Sequence, residues 1–397
     1  MKGRSTTSHL ICCSSDWARS LNDNKQTDIV YIDYAKAFDS VSHQKLLHKL
    51  DSYGVKGRVL LWIKSFLTDR SFCVKIGESF STPREISSGV PQGSILGPLL
   101  FLIYVNNIAD ELSSTCMLFA DDSKLYKEIS DPTIDFPALQ RDLRILSEWS
   151  KEWQLDINTD KCHVLRIGIS YERPLYISDH EISPTNSVRD LGVIVDKCLR
   201  WRLHCQNTAE KAFKVANCIL RAIHYKCLEN YKKAFVIYCR PILEYCYQVW
   251  SPYLKSDKEI IEHVQKHFTR VVCKRLCPGP MHLSYSMRLA IFELKPLEYR
   301  RVEFDLILCY KIVNGISDIP FDAVFAFSTR TATSRSHSRE LMRKNPKVNP
   351  VYNSFSFRVI RVWNLLPQNI VSATNVSSFT QRLKCYDLTA ICDFVFP

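Results

Sequence analysis

The chain has 397 residues, 46% of them hydrophobic and 24% charged, with a formal net charge of +12 at pH 7. This composition excludes an intrinsically disordered polypeptide and provides for two or three domains with hydrophobic cores. The longest apolar run, residues 98–105, is too short to span a bilayer and the first residues lack a secretory signal, so we expect an intracellular protein, nuclear or cytoplasmic, that binds no membrane.

Strand-like and helical patterns alternate over the first 90 residues. Residues 28–34 are rich in β-branched and aromatic side chains, and apolar residues then recur near helical spacing from Ala35 to Tyr53, where Gly54 provides a stop. The patterns that follow predict a helix at 58–67 and a hairpin in which residues 72–76 and 80–86 flank Gly77 and Glu78.

Next comes an apolar helix, which Gly97 and Pro98 open and which we expect to end near Leu112. Two strand-like runs then flank Ala120-Asp121-Asp122, a sequence that suits a tight hairpin turn. The remaining elements predicted in this half are strands at 115–119 and 123–127, an amphipathic helix at 137–153, and strands at 155–157 and 162–167. This order predicts an α+β fold with helices packed on one face of an antiparallel sheet.

The chain changes character beyond Asp196. Residues 203–245 and 255–275 have basic helical patterns, and residues 328–350 have the Ser, Thr, Arg and Pro content of a linker. Residues 1–196 hold 22 Lys and Arg against 26 Asp and Glu, a net charge of −4, whereas residues 197–397 hold 31 against 15, a net charge of +16. Such an excess indicates a surface for a phosphate backbone, although a merely solvated basic surface has the same composition.

The 16 cysteines are scattered singly, which is typical of reduced core residues rather than of a disulfide framework. One group has the residue types of a zinc site: His263, His267, Cys273 and Cys277. On a continuous helix the His pair and the Cys pair would stand roughly 15 Å apart. Zinc needs all four ligands about 2.0–2.3 Å from one point, so a continuous helix at this position excludes the site.

Three carboxylates follow apolar strands. Asp33 ends one such strand, and Asp121 and Asp122 end another. Alone, an Asp-Asp pair is equally typical of an ordinary turn. On neighbouring strands, however, the three carboxylates would crowd and repel one another unless cations lay between them. A pair of divalent ions, Mg²⁺ by the chemistry of the ligands or Mn²⁺ in its place, would relieve that repulsion and support phosphoryl transfer.

Several segments in this order and spacing resemble the motifs of reverse transcriptases, in the form found in jockey-like, LINE-type non-LTR retrotransposons. Residues 31–39 (YIDYAKAFD), 89–94 (GVPQGS) and 119–122 (FADD) resemble motifs A, B and C. Residues 153–162 resemble motif D, and Leu191-Gly192-Val193 resembles the segment beyond it. The resemblance extends into the tail at residues 240–245, 311–315 and 363–367, so it covers nearly the whole chain.

This resemblance implies an RNA-directed DNA polymerase. Asp33 and Asp121 would hold both metal ions, and Asp122 would complete the acidic group. A primer 3′-hydroxyl would attack the α-phosphate of a dNTP on an RNA template, with a DNA primer or target and with pyrophosphate as the leaving group. Lys161 would be the general acid for the pyrophosphate, although an exposed lysine of no special role is the alternative.

The resemblance also implies a nucleotide-binding group, with Tyr34, Phe38, Pro91, Gln92 and Gly93 as its members. Phe38 would be the aromatic gate that excludes a ribose 2′-hydroxyl, but it also fits the buried face of the predicted helix. The loop from Gly89 to Ser94 would lie against the nascent base pair, where glycine permits close backbone approach, while by itself it suits any Gly/Pro turn. The segment 191–193 would contact the primer.

The implied domains are a palm with a remnant of the fingers at 1–196, a helical thumb-like region at 197–327 and a C-terminal segment at 328–397. Only 32 residues precede Asp33, so we expect most of the fingers, and the endonuclease domain, to be missing. The alternative function is therefore a catalytically weak or inactive nucleic-acid-binding remnant. A metal-dependent phosphohydrolase is a third possibility, but it leaves the Gln92 loop unexplained.

Overall fold

The computed structural model describes residues 4–168, 171–224, 227–277, 283–329, 337–343 and 345–389. Two units pack internally: Lys25–Asn186, here called the sheet unit, and Met1–Asn24 together with Ser187–Pro397, here called the helical unit. Helix Thr6–Asn22 packs within the helical unit, where it buries Leu10 and Trp17. The division into domains at 196/197 and 327/328 stays a prediction, because packing units and functional domains need not share boundaries.

The sheet unit is built on five strands: β1 (Gln26–Ile32), β2 (Thr115–Phe119), β3 (Asp122–Ile129), β4 (His163–Ile167) and β5 (Ser183–Thr185). Their order is β5-β4-β1-β3-β2, and only the β5-β4 pair is parallel. The central strand β1 pairs Gln26 with Ile129 and Ile32 with Ser123, and six of its seven residues are buried. The antiparallel α+β fold predicted from the sequence is therefore confirmed.

One hydrophobic core joins the sheet to its helices. Val30 lies opposite Leu125 on the adjacent strand, and both side chains belong to a cluster with Leu46, Leu100 and Leu139 from three helices. The helices of this unit are His43–Ser52, Gly57–Leu67, Leu96–Val105 and Pro132–Glu152, with a 3₁₀ turn at Thr159–Lys161. The short strands Ser71–Phe72 and Arg84–Glu85, Lys75–Ile76 and Ser79–Phe80, and Tyr176–Ile177 and His180–Glu181 form pairs.

The helix predicted from Ala35 begins only at His43, so that prediction was wrong over its first turns. Lys36 has a left-handed backbone with φ 49°, and the Ala35 N–H bonds to the Asp156 carbonyl at 2.8 Å. Residues 36–40 consequently form a turn. Phe38 and Val41 pack on the hydrophobic core without being part of a helix. Their spacing in the sequence resembles that of a helix only by coincidence.

Three other predicted boundaries differ from the structure. The apolar helix ends at Val105 and gives way to turns before Leu112. The amphipathic helix starts at Pro132, where the Asp131 side chain caps it by accepting from the Thr133 N–H. Residues 155–157 make an isolated bridge, Ile157 to Tyr34, rather than a strand.

In its described residues, the helical unit contains one hairpin and a series of helices. The hairpin joins Ser187–Asp190 to Val193–Asp196. The helices are Thr6–Asn22, Arg202–Ala222, Leu228–Ala234, a π-helix at Phe235–Cys239, Arg240–Glu244, Tyr247–Trp250, Lys255–Leu276, Tyr285–Phe292, Leu297–Val313, Phe321–Val324, Asn349–Tyr352, Phe355–Trp363, Gln368–Val371 and Val376–Lys384. Arg358, almost fully buried, binds Asp305 through two hydrogen bonds of 2.7 and 3.0 Å and so joins two of these helices.

The helix predicted over 255–275 is continuous from Lys255 to Leu276. This continuity is the condition under which helix geometry excludes a zinc site from His263, His267, Cys273 and Cys277. His263 and His267 instead lie near the Phe213 ring, each with its centroid 5.5 Å away. No helix in the described part of the chain is both long and apolar enough to cross a bilayer.

Candidate active site

The carboxylates predicted from the sequence lie at the ends of two adjacent strands of the sheet unit: Asp33 directly after β1, Asp121 directly before β3, and Asp122 as the first residue of β3. Phe119 pairs with Asp122, so Ala120 and Asp121 form a two-residue turn in which Ala120 has a φ of 55°. Ile32 pairs with Ser123, and continuing that register by one residue places Asp33 level with Asp122. Asp121 and Asp122 are exposed and Asp33 is half-buried, so all three are reachable from solvent.

Lys161 lies beside the first of these carboxylates. Its Nζ is 3.5 Å from an Asp33 carboxylate oxygen, although 128 residues separate the two in sequence. The backbone holds the approach, because the Asn158 N–H bonds to the Asp33 carbonyl at 2.8 Å. The structure therefore brings together two residues that the sequence analysis placed in one site. The Lys161 side chain is largely exposed and that of Asp33 is half-buried.

The residue types at this edge fit a divalent metal ion, since carboxylate oxygens are the hard ligands that Mg²⁺ prefers. The side chains are not gathered around one point, however. Among the described residues, no group of three or more His, Cys, Asp and Glu side chains is arranged to hold a metal ion. The pairing of β1 with β3 already sets the backbones of Asp33 and Asp122 level with each other. To bind a metal ion, the carboxylate side chains would have to turn toward one another.

The loop that begins at Gly89 is fastened to the turn after β1. The Gly89 N–H donates to the Val41 carbonyl at 2.8 Å, and the Val90 N–H donates to the Phe38 carbonyl at 2.9 Å. Gly89 has a φ of 86°, and a Cβ at this position would lie 2.8 Å from both the Cα and the carbonyl oxygen of Asp39. Only glycine fits this close approach.

Three side chains that were assigned no role from the sequence hold the same loop. His43 Nε2 donates to the Gly89 carbonyl at 2.8 Å, and an Arg70 guanidinium nitrogen donates to it at 3.1 Å. Asp39 accepts a 2.9 Å hydrogen bond from the Gln92 side chain. Asp39 could have been found from the sequence, because it lies in the segment that resembles motif A. Nothing in the local sequence marks His43 or Arg70 as part of the site.

The predicted nucleotide-binding residues differ in exposure. Gln92 and Gly93 are exposed and Pro91 is half-buried, so this loop is open to solvent. Phe38 is half-buried and stacks on Phe101 with ring centroids 4.5 Å apart. Tyr34 is only 7% exposed, and burial raises the pKa of its hydroxyl. The Tyr34 side chain therefore faces the core.

The predicted primer-contacting segment lies in the helical unit. Asp190 pairs with Val193, so Leu191 and Gly192 form the two-residue turn of the hairpin, both with positive φ. The Tyr245 hydroxyl donates to the Leu191 carbonyl at 2.9 Å. Val193 is fully buried, which leaves the turn itself as the exposed part of the segment.

An antiparallel α+β sheet with acidic residues at the turn of its β2-β3 hairpin is the architecture of the palm of a nucleic-acid polymerase. Comparison with known families identifies which one: residues 1–195 match the family model described as reverse transcriptase (RNA-dependent DNA polymerase). Residues 1–195 are thus similar to the reverse transcriptases, and the relatives of this chain include RNA-directed DNA polymerases of jockey-like, non-LTR mobile elements.

Curated relatives carry the same assignment. The chain is 27% identical over 298 residues to a probable RNA-directed DNA polymerase from transposon BS of Drosophila melanogaster, covering 70% of this chain and 32% of the relative. It is 29% identical over 255 residues to the RNA-directed DNA polymerase from mobile element jockey of Drosophila funebris, covering 61% and 28%. The chain thus spans about a third of the length of these relatives.

Among solved structures, apo telomerase from Candida tropicalis is 12% identical, with a TM-score of 0.39 over 77% of this chain and 49% of that chain.

Proposed function

We propose that this chain is an RNA-directed DNA polymerase that adds dNTPs to a primer 3′-hydroxyl on an RNA template. The observation that carries the proposal is the register of β1 and β3, which sets Asp33 level with Asp122 and beside the Asp121 turn. Lys161, 3.5 Å from Asp33, adds a mobile cation to the same edge. The family of residues 1–195 supports the reaction type.

Each residue of the proposed site has a chemical task. Asp33, Asp121 and Asp122 would hold two Mg²⁺ ions, or Mn²⁺ in their place. When bound, such ions make the primer 3′-hydroxyl more acidic and stabilise the negative charge on the leaving oxygen. The Lys161 ammonium would donate a proton to the departing pyrophosphate, a task that its exposed and rotatable side chain allows.

The incoming nucleotide would meet the loop of Pro91, Gln92 and Gly93 and the Phe38 ring. The fastening of this loop through Gly89 supports such a task, because a substrate is positioned well only by groups that are themselves held. The exposed turn of the segment 191–193 would contact a DNA primer or target. The net charge of +16 over residues 197–397 supports binding of the template and primer phosphates.

Primer extension on an RNA template with dNTPs and Mg²⁺ tests the proposal. Asp121→Asn should lower synthesis by about 100-fold or more, since it removes a charge that the transition state needs. Asp179→Asn is the matched control, because Asp179 is an exposed residue in the turn of another hairpin of the sheet unit. It should extend primers like the unaltered chain.

RNA binding, measured by fluorescence anisotropy, should be nearly the same for all three chains. An unaltered chain that binds RNA and extends no primer would refute the polymerase assignment for this chain and leave a binding remnant. Equal synthesis by the Asp121 variant and its control would refute the assignment of the site. Degradation of RNA without dNTPs, sensitive to Asp121→Asn, would indicate a phosphohydrolase instead.

A further inference from the structure

A cavity of about 340 Å³ lies within the helical unit, next to the Leu191-Gly192 turn. It is bounded by that hairpin, by helix Arg202–Ala222 and by helix Arg240–Glu244. Its size is at the lower end of the roughly 300–1,000 Å³ found for pockets that bury small molecules. The cavity therefore has room for one nucleotide-sized group and is too small for a duplex.

One wall of the cavity is built by Tyr245 against the turn. The hydrogen bond from its hydroxyl to the Leu191 carbonyl holds the ring in place. Gly192 makes the approach possible, because a Cβ there would lie 3.2 Å from the Tyr245 Cε1 atom and its φ of 86° disfavours other residues. Tyr245 is 44% exposed, so this wall is both fixed and open to solvent.

The floor of the cavity is polar but uncharged. His204 Nδ1 accepts a 3.1 Å hydrogen bond from the Ile194 N–H, so Nε2 carries the proton and donates to the Thr208 hydroxyl at 3.2 Å. Burial lowers the pKa of His204 to about 4, and the charges of Lys211 and Arg189 act in the same direction. The imidazole is thus neutral at pH 7 and fixed in one tautomer.

The rim has the opposite character, because Arg189 and Lys211 are exposed cations. None of the described residues that line the cavity is an Asp or Glu, so no carboxylate neutralises these two charges from within. Apolar surface from Ile194 and Ile242 adjoins the Tyr245 ring. An aromatic and apolar wall beside two cations matches a base joined to a phosphate, since bases stack on aromatic rings while phosphates pair with Arg and Lys.

We propose that this cavity holds one unpaired nucleotide of a single-stranded nucleic acid, with its base against Tyr245 and Ile242 and its phosphate between Arg189 and Lys211. The inference rests on the proposed function, which brings nucleic acid strands to this chain. A free phosphate would leave the apolar wall unused. A base without its phosphate would leave the two cations unpaired.

The test compares a ten-residue oligothymidylate with an abasic ten-residue strand that has the same number of phosphates. Binding to the full chain is measured by fluorescence anisotropy in EDTA without dNTPs, so catalysis plays no part. We expect the unaltered chain to bind the thymidylate strand about tenfold more tightly, in line with about 1–3 kcal/mol for stacking one base.

Asn207→Trp should fill the cavity, because Asn207 lines it and is half-buried. Its matched control is Asn217→Trp, the same substitution at an exposed position of the same helix that does not line the cavity. We expect the Asn207 variant to bind both strands equally and to keep the affinity for the abasic strand within about twofold. The control should retain the tenfold preference.

A second variant keeps the test decisive if Asn207→Trp does not fold. Lys211→Gln should weaken binding of both strands and reduce the slope of log affinity against log salt by about one unit. Equal affinity of the unaltered chain for the two strands would overturn the proposal, and so would an unchanged preference in the Asn207 variant or an unchanged salt slope in the Lys211 variant.

Primer extension on the same preparations separates this inference from the proposed function. A base preference that depends on Asn207, in a chain that extends no primer, would refute only the polymerase. Primer extension by a chain that shows no base preference would refute only the nucleotide cavity.

Discussion

Gly89→Ala should loosen the loop that carries the predicted nucleotide-binding residues. Two costs add at this position. A left-handed backbone disfavours alanine by roughly 1–2 kcal/mol, and the new Cβ would lie 2.8 Å from the Asp39 Cα and carbonyl oxygen, which are backbone atoms with little freedom to move. Relieving such an overlap by backbone shifts typically costs ~1–3 kcal/mol more. We expect a local destabilisation of about 2–5 kcal/mol.

Gly93→Ala provides the control, because Gly93 also has a positive φ, 79°, but nothing lies within 4 Å of where its Cβ would be. Hydrogen–deuterium exchange of peptides covering residues 36–52 and 86–105 measures the local opening free energy. Gly89→Ala should speed exchange there by roughly 30-fold or more, and Gly93→Ala, which has only the backbone cost, by a smaller factor of roughly 5- to 30-fold. Equal exchange in the two variants would refute the reasoning from the close approach to Asp39.

Two further predictions concern single side chains. The folded chain holds His204 with a pKa of about 4, whereas an exposed histidine titrates near 6.5; protons therefore favour the unfolded chain between these values. Stability of helix Arg202–Ala222 should fall by up to ~3 kcal/mol as the pH drops from about 6.5 to about 4. Hydrogen exchange at several pH values checks this, and a similar fall in His204→Asn would contradict it. Lys161→Met should slow single-nucleotide incorporation by about 100-fold without weakening RNA binding. The control Lys151→Met, at another exposed lysine, should leave the rate unchanged. Equal rates in the two variants would show that Lys161 has no part in the mechanism.

Local patterns were sufficient for much of the sheet unit. The run of β-branched and aromatic residues before Asp33 predicted β1, and two apolar runs around Ala120-Asp121-Asp122 predicted the hairpin with its carboxylates at the tip. These elements could be predicted because their signals, apolar runs and turn residues, lie within a few neighbouring positions. The ordered motifs from residue 31 to residue 193 added the family, which the comparisons confirm.

Prediction from local patterns failed where an apolar residue packs against a residue that is distant in the sequence. Phe38 has helical spacing with its neighbours, yet it lies in a turn and stacks on Phe101, 63 residues further along the chain. No helix starts at Ala35 because the next residue, Lys36, has a left-handed backbone with a φ of 49°. Periodicity records only that a side chain is buried, and several backbone shapes can bury it.

Sequence alone therefore predicted which residues are candidates for the chemistry: the three carboxylates, the Gly89 to Gly93 loop and the basic second half of the chain. Tertiary structure decided how they are held. It set Lys161 beside Asp33, joined His43 and Arg70 to the Gly89 carbonyl, and closed a cavity around Tyr245. The physical reason is that such contacts connect residues tens to more than a hundred positions apart, and their energy depends on a geometry that exists only once the sheet and helices have packed.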